Sequence, residues 1–412
     1  MNDSLLIIQP VSAGFGLVDA ALRHGLRPVV LSYQQEDRRI PQSMLDNDAV
    51  EVHEVDTNDR AAVLAVADRL AGRGDIRGVV PGFEYFVPTA AEVAARLGLP
   101  GLAPEVAERV RDKRLMRQAL AAAGLDIPQF RVASSRAAAE SAAAEIGYPV
   151  VVKPPRAAGS VHVSRVESPE ELGAAYDLIC SETDLDLGND LGREVLIESY
   201  LDGPEYSAEG YVVAGVPTVV SITEKLLSAP PSFVELGHTV PADLPPARLG
   251  ELADWAAAVA TALGVDNALF HLEFRICGPK PFVIELGARM PGDQIANLVA
   301  LSTGVSLADV FVEIATGARS GGGRGLDVEF AQTAGIRFFR RPELDVVARV
   351  PAVEELLAGK NVDTAGLTTS VGARPNTHPD FRSRLGWVVL AAPDRSSLEE
   401  AWAEAEGKAQ FD

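Results

Sequence analysis

Cysteine is almost missing from this chain. Its 412 residues hold two, Cys180 and Cys277. Two cysteines make neither a disulfide framework nor a thiolate metal site, so a reducing cytoplasm is the expected setting. Long apolar runs are missing as well, and nothing is long enough to span a bilayer. The N-terminus, MNDSLLIIQP, lacks the basic start of a signal peptide, and Pro10 cuts its apolar run short, so it reads as an opening strand. Positive charge is scarce, with 37 Lys and Arg against 58 Asp and Glu and a net charge of -21. That field argues against nucleic acid as a partner, and no membrane role finds support. An anionic substrate then requires basic residues placed singly where its charge sits. Internal repeats are absent too.

What remains is a globular chain, 47% hydrophobic, too long for one compact core. SLLIIQP, VDAALRHG and PVVLSY read strand, helix, strand, the opening of an open α/β sheet. Ser12, Gly14 and Gly16 in the first turn match GxGxxG poorly, so the turn reads as tight or as a substrate contact. Glu84 falls just past the carboxyl end of a later strand, where such sheets bind ligands, and is a candidate for a substrate ammonium. After Pro104, EVAERVRDKRLMRQALAAAG reads as one long helix with Lys113 inside it, followed by the alanine-rich SSRAAAESAAAEIG. YPVVVKPPRAAGS places Lys153 at the end of an apolar strand, an expensive position for a charge without an anionic partner. The small residues of Arg156 to Ser160 let backbone amides approach phosphates, although the segment is glycine-poor. SETDLDLGNDLG is an acidic connector and SGGGRG, 320–325, a linker. Beyond it AGIRFF, TTSVGAR and GWVVLAAP read as short strands before a last helix.

The most informative stretch is FHLEFRICGPKPFVIELGARMPG, Phe270 to Gly292. It reads as two strands around a Gly-Pro turn, each with one glutamate among apolar residues, Glu273 and Glu285. Antiparallel neighbours can bring both side chains to one spot. Two carboxylates there repel unless a cation joins them. Magnesium, a hard ion that takes oxygen ligands and phosphates, fits that demand, with Arg289 as a fixed charge beside it.

In their order, RDKRLMRQAL, YPVVVKPPRAAGS, VLIESYLDGPEYS, FVELGHTVPA, HLEF and VIELGARMPG resemble the ATP-grasp superfamily, in particular its L-amino acid ligase branch. The resemblance implies an α/β ATP-grasp fold in four parts: an N-terminal open parallel-sheet domain (1–105), a central lid subdomain (106–197), an antiparallel-sheet catalytic domain (198–325) and a small C-terminal α+β region (326–412). It implies ATP and magnesium, two ions with manganese able to substitute. Lys113 and Lys153 resemble the phosphate clamp, and the segment around Ala157 to Val161 its mobile cover. Glu198, Ser199, Tyr200 and Leu201 resemble the adenine hinge, and Glu205 the ribose acid. Glu273 and Glu285 resemble the metal ligands, and Arg289 the residue that holds the tetrahedral centre. Glu235 and His238 resemble contacts to metal and amino acid. Ser12, Glu84 and Met290 are candidates for lining the substrate pocket, whereas His162 and His271 read as structural. Gly287 stands where many of these enzymes carry a metal-binding asparagine, which favours the amino acid ligase branch. The implied reaction joins a carboxylate to an amine through an acyl-phosphate, releasing ADP and phosphate, with small-molecule amino acids as substrates and a homodimer as the usual assembly. A carboxylating enzyme that activates bicarbonate, or an ATP-binding protein without chemistry, are the alternatives.

Overall fold

Leu5 to Ile8 are wholly buried, and this run forms the strand Ser4–Ile8 at the heart of a parallel sheet. The strand order is Glu51–Glu54, Arg27–Ser32, Ser4–Ile8, Ile76–Pro81. Strands buried on both faces read as continuous apolar runs, as LLII and PVVL do here. In this computed structural model the described residues are 3–35, 38–181, 187–189, 192–229, 233–323, 325–326, 328–376 and 381–412. Most of the acidic connector therefore lies outside the described residues, as does Arg324 of the linker.

At the carboxyl edge of this sheet two loops lock together. A Cβ on Gly14 would lie 1.9 Å from the Gly82 carbonyl oxygen, and one on Gly82 would lie 2.4 Å from Pro10 Cα. The glycine of the first turn thus serves a backbone-to-backbone contact, and the turn itself is a short 3-10 helix, Ser12–Phe15.

A four-stranded antiparallel sheet comes next, in the order Phe130–Ala133, Val195–Ser199, Val150–Lys153, Ser164–Val166. Helices Arg136–Ile146 and Pro169–Ser181 cover it, and Ala139, Ala142 and Ala143 let them pack closely over a core of its own. The largest sheet runs Lys280–Gly287, Ala268–Cys277, Glu205–Val213, Val216–Leu227, Glu235–Val240, Thr333–Phe339, Gly386–Ala392, Val362–Leu367. Helix Pro246–Leu263 seals one of its faces against Ala208, Leu272 and Phe274. The C-terminal strands extend this same sheet, since Glu235–Val240 pairs antiparallel with Thr333–Phe339.

Two expectations are corrected. The long helix after Pro104 is two helices, Pro104–Arg111 and Lys113–Ala122. Asp112 stands between them with extended backbone, and its side chain accepts from the Arg114 amide, capping the second helix. Lys113 therefore opens a helix instead of sitting within one. TTSVGAR is not a strand; the edge strand is the preceding Val362–Leu367, and the chain turns at Val371–Gly372. No single helix among the described residues is long and apolar enough to cross a membrane.

Candidate active site

The inner face of the large sheet is a grid of polar side chains. Alternation along three neighbouring strands points Glu205, Ser207 and Glu209, then Ser221, Thr223 and Lys225, then His271, Glu273 and Arg275 to one side. The register aligns them in rows. Lys225, Glu205 and Arg275 form one row; Thr223, Ser207, Glu273 and Glu285 the next; Ser221, Glu209, His271 and Gly287 the third. Glu273 and Glu285 are thus direct cross-strand neighbours, as the alternation of their strands implied.

Side-chain bonds run within the first and third rows and tie the middle row to them. Lys225 Nζ lies 2.9 Å from carboxylate oxygens of Glu205, Glu235 and Glu273, and its side chain is 3% exposed. Burial opposes its charge, but three carboxylates outweigh that and hold the ammonium well above its ordinary pKa. Arg275 Nε donates to the other Glu205 oxygen at 2.9 Å. Glu209, wholly buried, accepts from Ser207, Ser221 and Thr223 hydroxyls at 2.6 Å each. His271 bridges Glu209 at 3.0 Å and Glu273 at 3.1 Å. Burial disfavours the imidazolium, yet the two carboxylates push its pKa up to about 9. His271 is thus structural in the sense expected, and its work is to aim Glu273.

The small sheet faces this grid across a cleft of about 730 Å³. Lys113, Lys153, Ser160, Glu198, Ser199, Tyr200, Leu201, Glu205, Glu273 and Glu285 all line it. Lys153 Nζ sits 2.5 Å from Glu198, which also receives Arg117 Nε at 2.6 Å. Burial alone would raise the Glu198 carboxyl, but the two cations hold it down at about 2. Burial, with Arg117 and Lys113 nearby, pushes the Lys153 ammonium downward. Lys113 Nζ reaches Glu285 at 2.5 Å and the Ala157 carbonyl at 2.8 Å. The loop expected to cover phosphates is therefore tied to the helix start it follows in space. The expected hinge is partly engaged within the protein, because the Ser199 and Tyr200 amides donate to the Gln129 and Pro149 carbonyls. Arg165 and Arg275 flank the Tyr200 ring at 4.5 and 5.5 Å.

A second cleft of about 1350 Å³ shares Ser160, Glu273 and Glu285 with the first. Ser12, Glu235, His238, Arg289 and Met290 line it. Glu235 is joined to the grid through Lys225 and to Asp293 through Arg384. His238 Nε2 lies 3.2 Å from Asp293. Glu84 lines neither cleft. It is buried, with Arg111 on one oxygen at 3.1 Å and Arg289 on the other at 2.5 Å. Burial would raise its pKa, but Arg289 and Arg111 lower it on balance. The expectation that Glu84 takes a substrate ammonium is corrected: two guanidiniums already occupy it, and it anchors Arg289. A Cβ on Gly287 would lie 2.7 Å from Glu84 Oε2, so glycine there makes room for this anchor.

Lys225, Arg275, Glu209, Arg117, Asp293 and Arg384 were missed from the sequence. Matched polar stripes in EYSAE, SITEK and HLEFR were the signal for the first three, since a two-residue polar period on apolar strands marks a shared wet face. Arg117 lies four residues after Lys113 and so shares its helix face. Nothing local marks Arg384.

A hard divalent cation fits this arrangement. The donors offered by Glu273 and Glu285 are oxygens only, opposed on adjacent strands and open to both clefts. Glu235, His238 and Asp293 also lie close enough to share an ion, but Arg384 is the cation already bound to both acids.

Two sheets closing on a cleft lined by single lysines and paired carboxylates define a clamp for a nucleotide polyphosphate. Residues 146–297 match the ATP-grasp domain family, and residues 18–101 match the ATP-grasp N-terminal domain. The chain is 30% identical over 405 residues to an uncharacterised protein of Sinorhizobium fredii, covering 97% of this chain and 80% of that one. It belongs to the ATP-grasp superfamily. It is also 24% identical over 263 residues to alanine–anticapsin ligase of Bacillus subtilis, covering 60% of this chain and 55% of that protein. The chain thus spans about half the length of the alanine–anticapsin ligases it matches. The crystal structure of L-amino acid ligase from Bacillus licheniformis superposes with a TM-score of 0.82 at 24% identity, covering 100% of this chain and 98% of that one.

Proposed function

We propose that this protein is an ATP-dependent carboxylate–amine ligase that joins an amino acid, or a close analogue, to an amine. The observation that carries the reading is the shared wall of the two clefts. Glu273 and Glu285 face both, with Lys113 and Lys153 on the nucleotide side and Arg289 on the other. Chemistry that starts on a γ-phosphate and ends on a carbonyl carbon needs such a junction.

Lys113 and Lys153 neutralise the phosphates while a substrate carboxylate oxygen attacks the γ-phosphorus and ADP leaves. Glu273 and Glu285, with Glu235 a further candidate, would hold magnesium or manganese in its place, and the ion would supply Lewis-acid charge to the phosphates. The loop ending at Ser160 keeps water from the acyl-phosphate. An amine then attacks the acyl carbon, Arg289 holds the oxyanion, and phosphate leaves as the nitrogen gives up a proton. Glu205, fixed by Lys225 and Arg275, takes the ribose, and the Glu198 to Leu201 hinge takes the adenine. Glu235 and His238 face the amino acid. Amino acids as substrates are supported by the names of the ligases the chain resembles. The four-part division at 105, 197 and 325 is kept within this reading. So are the homodimer and a cytoplasmic setting, which suits free Cys180 and Cys277.

The test is phosphate release with ATP, magnesium and paired L-amino acids, with products weighed by mass spectrometry. ADP, phosphate and an amide are expected. AMP with pyrophosphate, turnover driven by bicarbonate alone, or nucleotide binding without turnover across a broad panel of acids and amines overturns the reading.

A further inference from the structure

The second cleft is completed from the far end of the chain. The 3-10 turn Phe381–Ser383 and Arg384 directly after it come down onto its rim. Arg384 Nη1 donates to Asp293 Oδ1 at 2.7 Å, and Nη2 donates to Asp293 Oδ2 and Glu235 Oε2 at 2.9 Å each. The guanidinium lies over the Phe338 ring, 3.6 Å from its centroid, and is 8% exposed. It stands behind the two acids, which line the cleft. Glu235 and Asp293 have this one guanidinium between them, and His238 Nε2 lies 3.2 Å from Asp293. The Lys225 ammonium that also reaches Glu235 is shared with two other carboxylates. The cleft end therefore keeps anionic character, with Asp293 held by a two-pronged and Glu235 by a single charge-assisted bond from Arg384. Asp293 and Gln294 are consecutive non-glycine residues at φ 50 and 60, so the backbone is strained where it presents this acid. Phe381 is 42% exposed although it is a phenylalanine, and its ring lies against Gly159 of the phosphate loop. Val11, Phe83, Met290 and Ile295 add apolar surface to the same cleft.

We infer that the turn Phe381–Arg384 determines which amino acid the second cleft accepts. Arg384 is a positioning residue that holds Asp293 and Glu235 as the seat of a substrate ammonium, and Phe381 is the wall its apolar side chain meets. The inference rests on the ligase reading and narrows its substrate to amino acids with uncharged, apolar side chains.

The experiment is steady-state phosphate release with glycine, alanine, valine, leucine, methionine, phenylalanine, aspartate and lysine, for the wild type, Arg384→Gln, Arg384→Lys and Phe381→Ala. The wild type should favour apolar side chains. Arg384→Gln should raise the amino acid KM by about tenfold or more while the ATP KM stays within about twofold. Arg384→Lys should fall between, and Phe381→Ala should shift kcat/KM toward bulkier side chains. An unchanged amino acid KM, parallel rises in both KM values, or an unaltered side-chain profile overturns the inference. Arg384→Lys keeps a cation and Phe381 is exposed, so these two variants decide if Arg384→Gln does not fold. If the wild type releases no phosphate with any acid, the ligase reading fails by itself. Calorimetric titration of the same amino acids then decides: binding lost in Arg384→Gln supports the seat, and equal or absent binding refutes it.

Discussion

Replacing Gly287 with alanine should harm the chemical step far more than nucleotide binding. The new Cβ would lie 2.7 Å from Glu84 Oε2 and 3.5 Å from Arg289 Nε. A carbon–oxygen contact relaxes near about 3.3 Å, so the carboxylate must retreat by roughly 0.6 Å. It has little freedom to do so, because Arg111 holds its other oxygen and the side chain is buried. Removing one partner of a buried ion pair costs about 3–5 kcal/mol, and stretching this one should cost about 1–2 kcal/mol of stability. The larger effect is on rate. Arg289 would lose its anchor, and a misplacement of about 1 Å can lower turnover by about 100-fold. Phosphate release at saturating ATP should drop roughly 10- to 100-fold, with the ATP KM within about threefold. A melting curve recorded in parallel separates loss of fold from loss of rate. If Gly287→Ala turns over within about twofold of the wild type, the Glu84 anchor does not place Arg289 and the reasoning is refuted.

Other perturbations address the rest of the site. Glu285→Ala should lower turnover by about 1000-fold or more and weaken magnesium-dependent ADP binding; near-normal activity removes Glu285 from the metal pair. Arg275→Ala frees one side of Glu205 and should raise the ATP KM by about tenfold with kcat little changed, which steady-state kinetics will show. The Glu198 carboxyl is held at about 2 in the fold against an ordinary 4.5, so its stabilisation is present above about pH 4.5 and is lost as pH falls toward 2. Unfolding free energies from urea titrations across that window should decline by on the order of 3 kcal/mol from this group, and Glu198→Gln should be less stable at pH 7 but flatter in acid. An equally steep acid limb in Glu198→Gln would assign the loss elsewhere.

The parts of the site that could be read from the sequence are those whose chemistry conflicts with their own strand. Lys153 ends an apolar run, and Glu273 and Glu285 interrupt two others, so each advertises a partner. The parallel opening sheet was legible for a related reason, because LLII and PVVL leave no polar face to expose. The alternation of SITEKLL puts Lys225 on a wet face but does not show that it is buried there, because its burial comes from three acids on other strands. The break at Asp112 was hidden because the residues on both sides favour helix, and the capping bond to Arg114 and the Lys113 amide bond to the Pro155 carbonyl decide against continuity. Arg384 lies 91 residues from Asp293 and 149 from Glu235, and no local period carries that distance. Glu84 was placed at the correct sheet edge and given the wrong partner, since the sequence does not show that Arg111 and Arg289 converge on it.

Sharing one ammonium among Glu205, Glu235 and Glu273 has a consequence for how this site can change. Neutralising any one of the three leaves Lys225 to redistribute toward the other two, so alanine scanning will not return three independent contributions. Double-mutant cycles among these four residues should show couplings of about 0.5–3 kcal/mol. The same sharing constrains descent: a lineage that alters Glu235, proposed to face the amino acid, also disturbs Glu205 and Glu273, proposed for ribose and metal. New specificities are therefore reached more readily through residues outside the shared charge, at the apolar wall, than through the acids themselves.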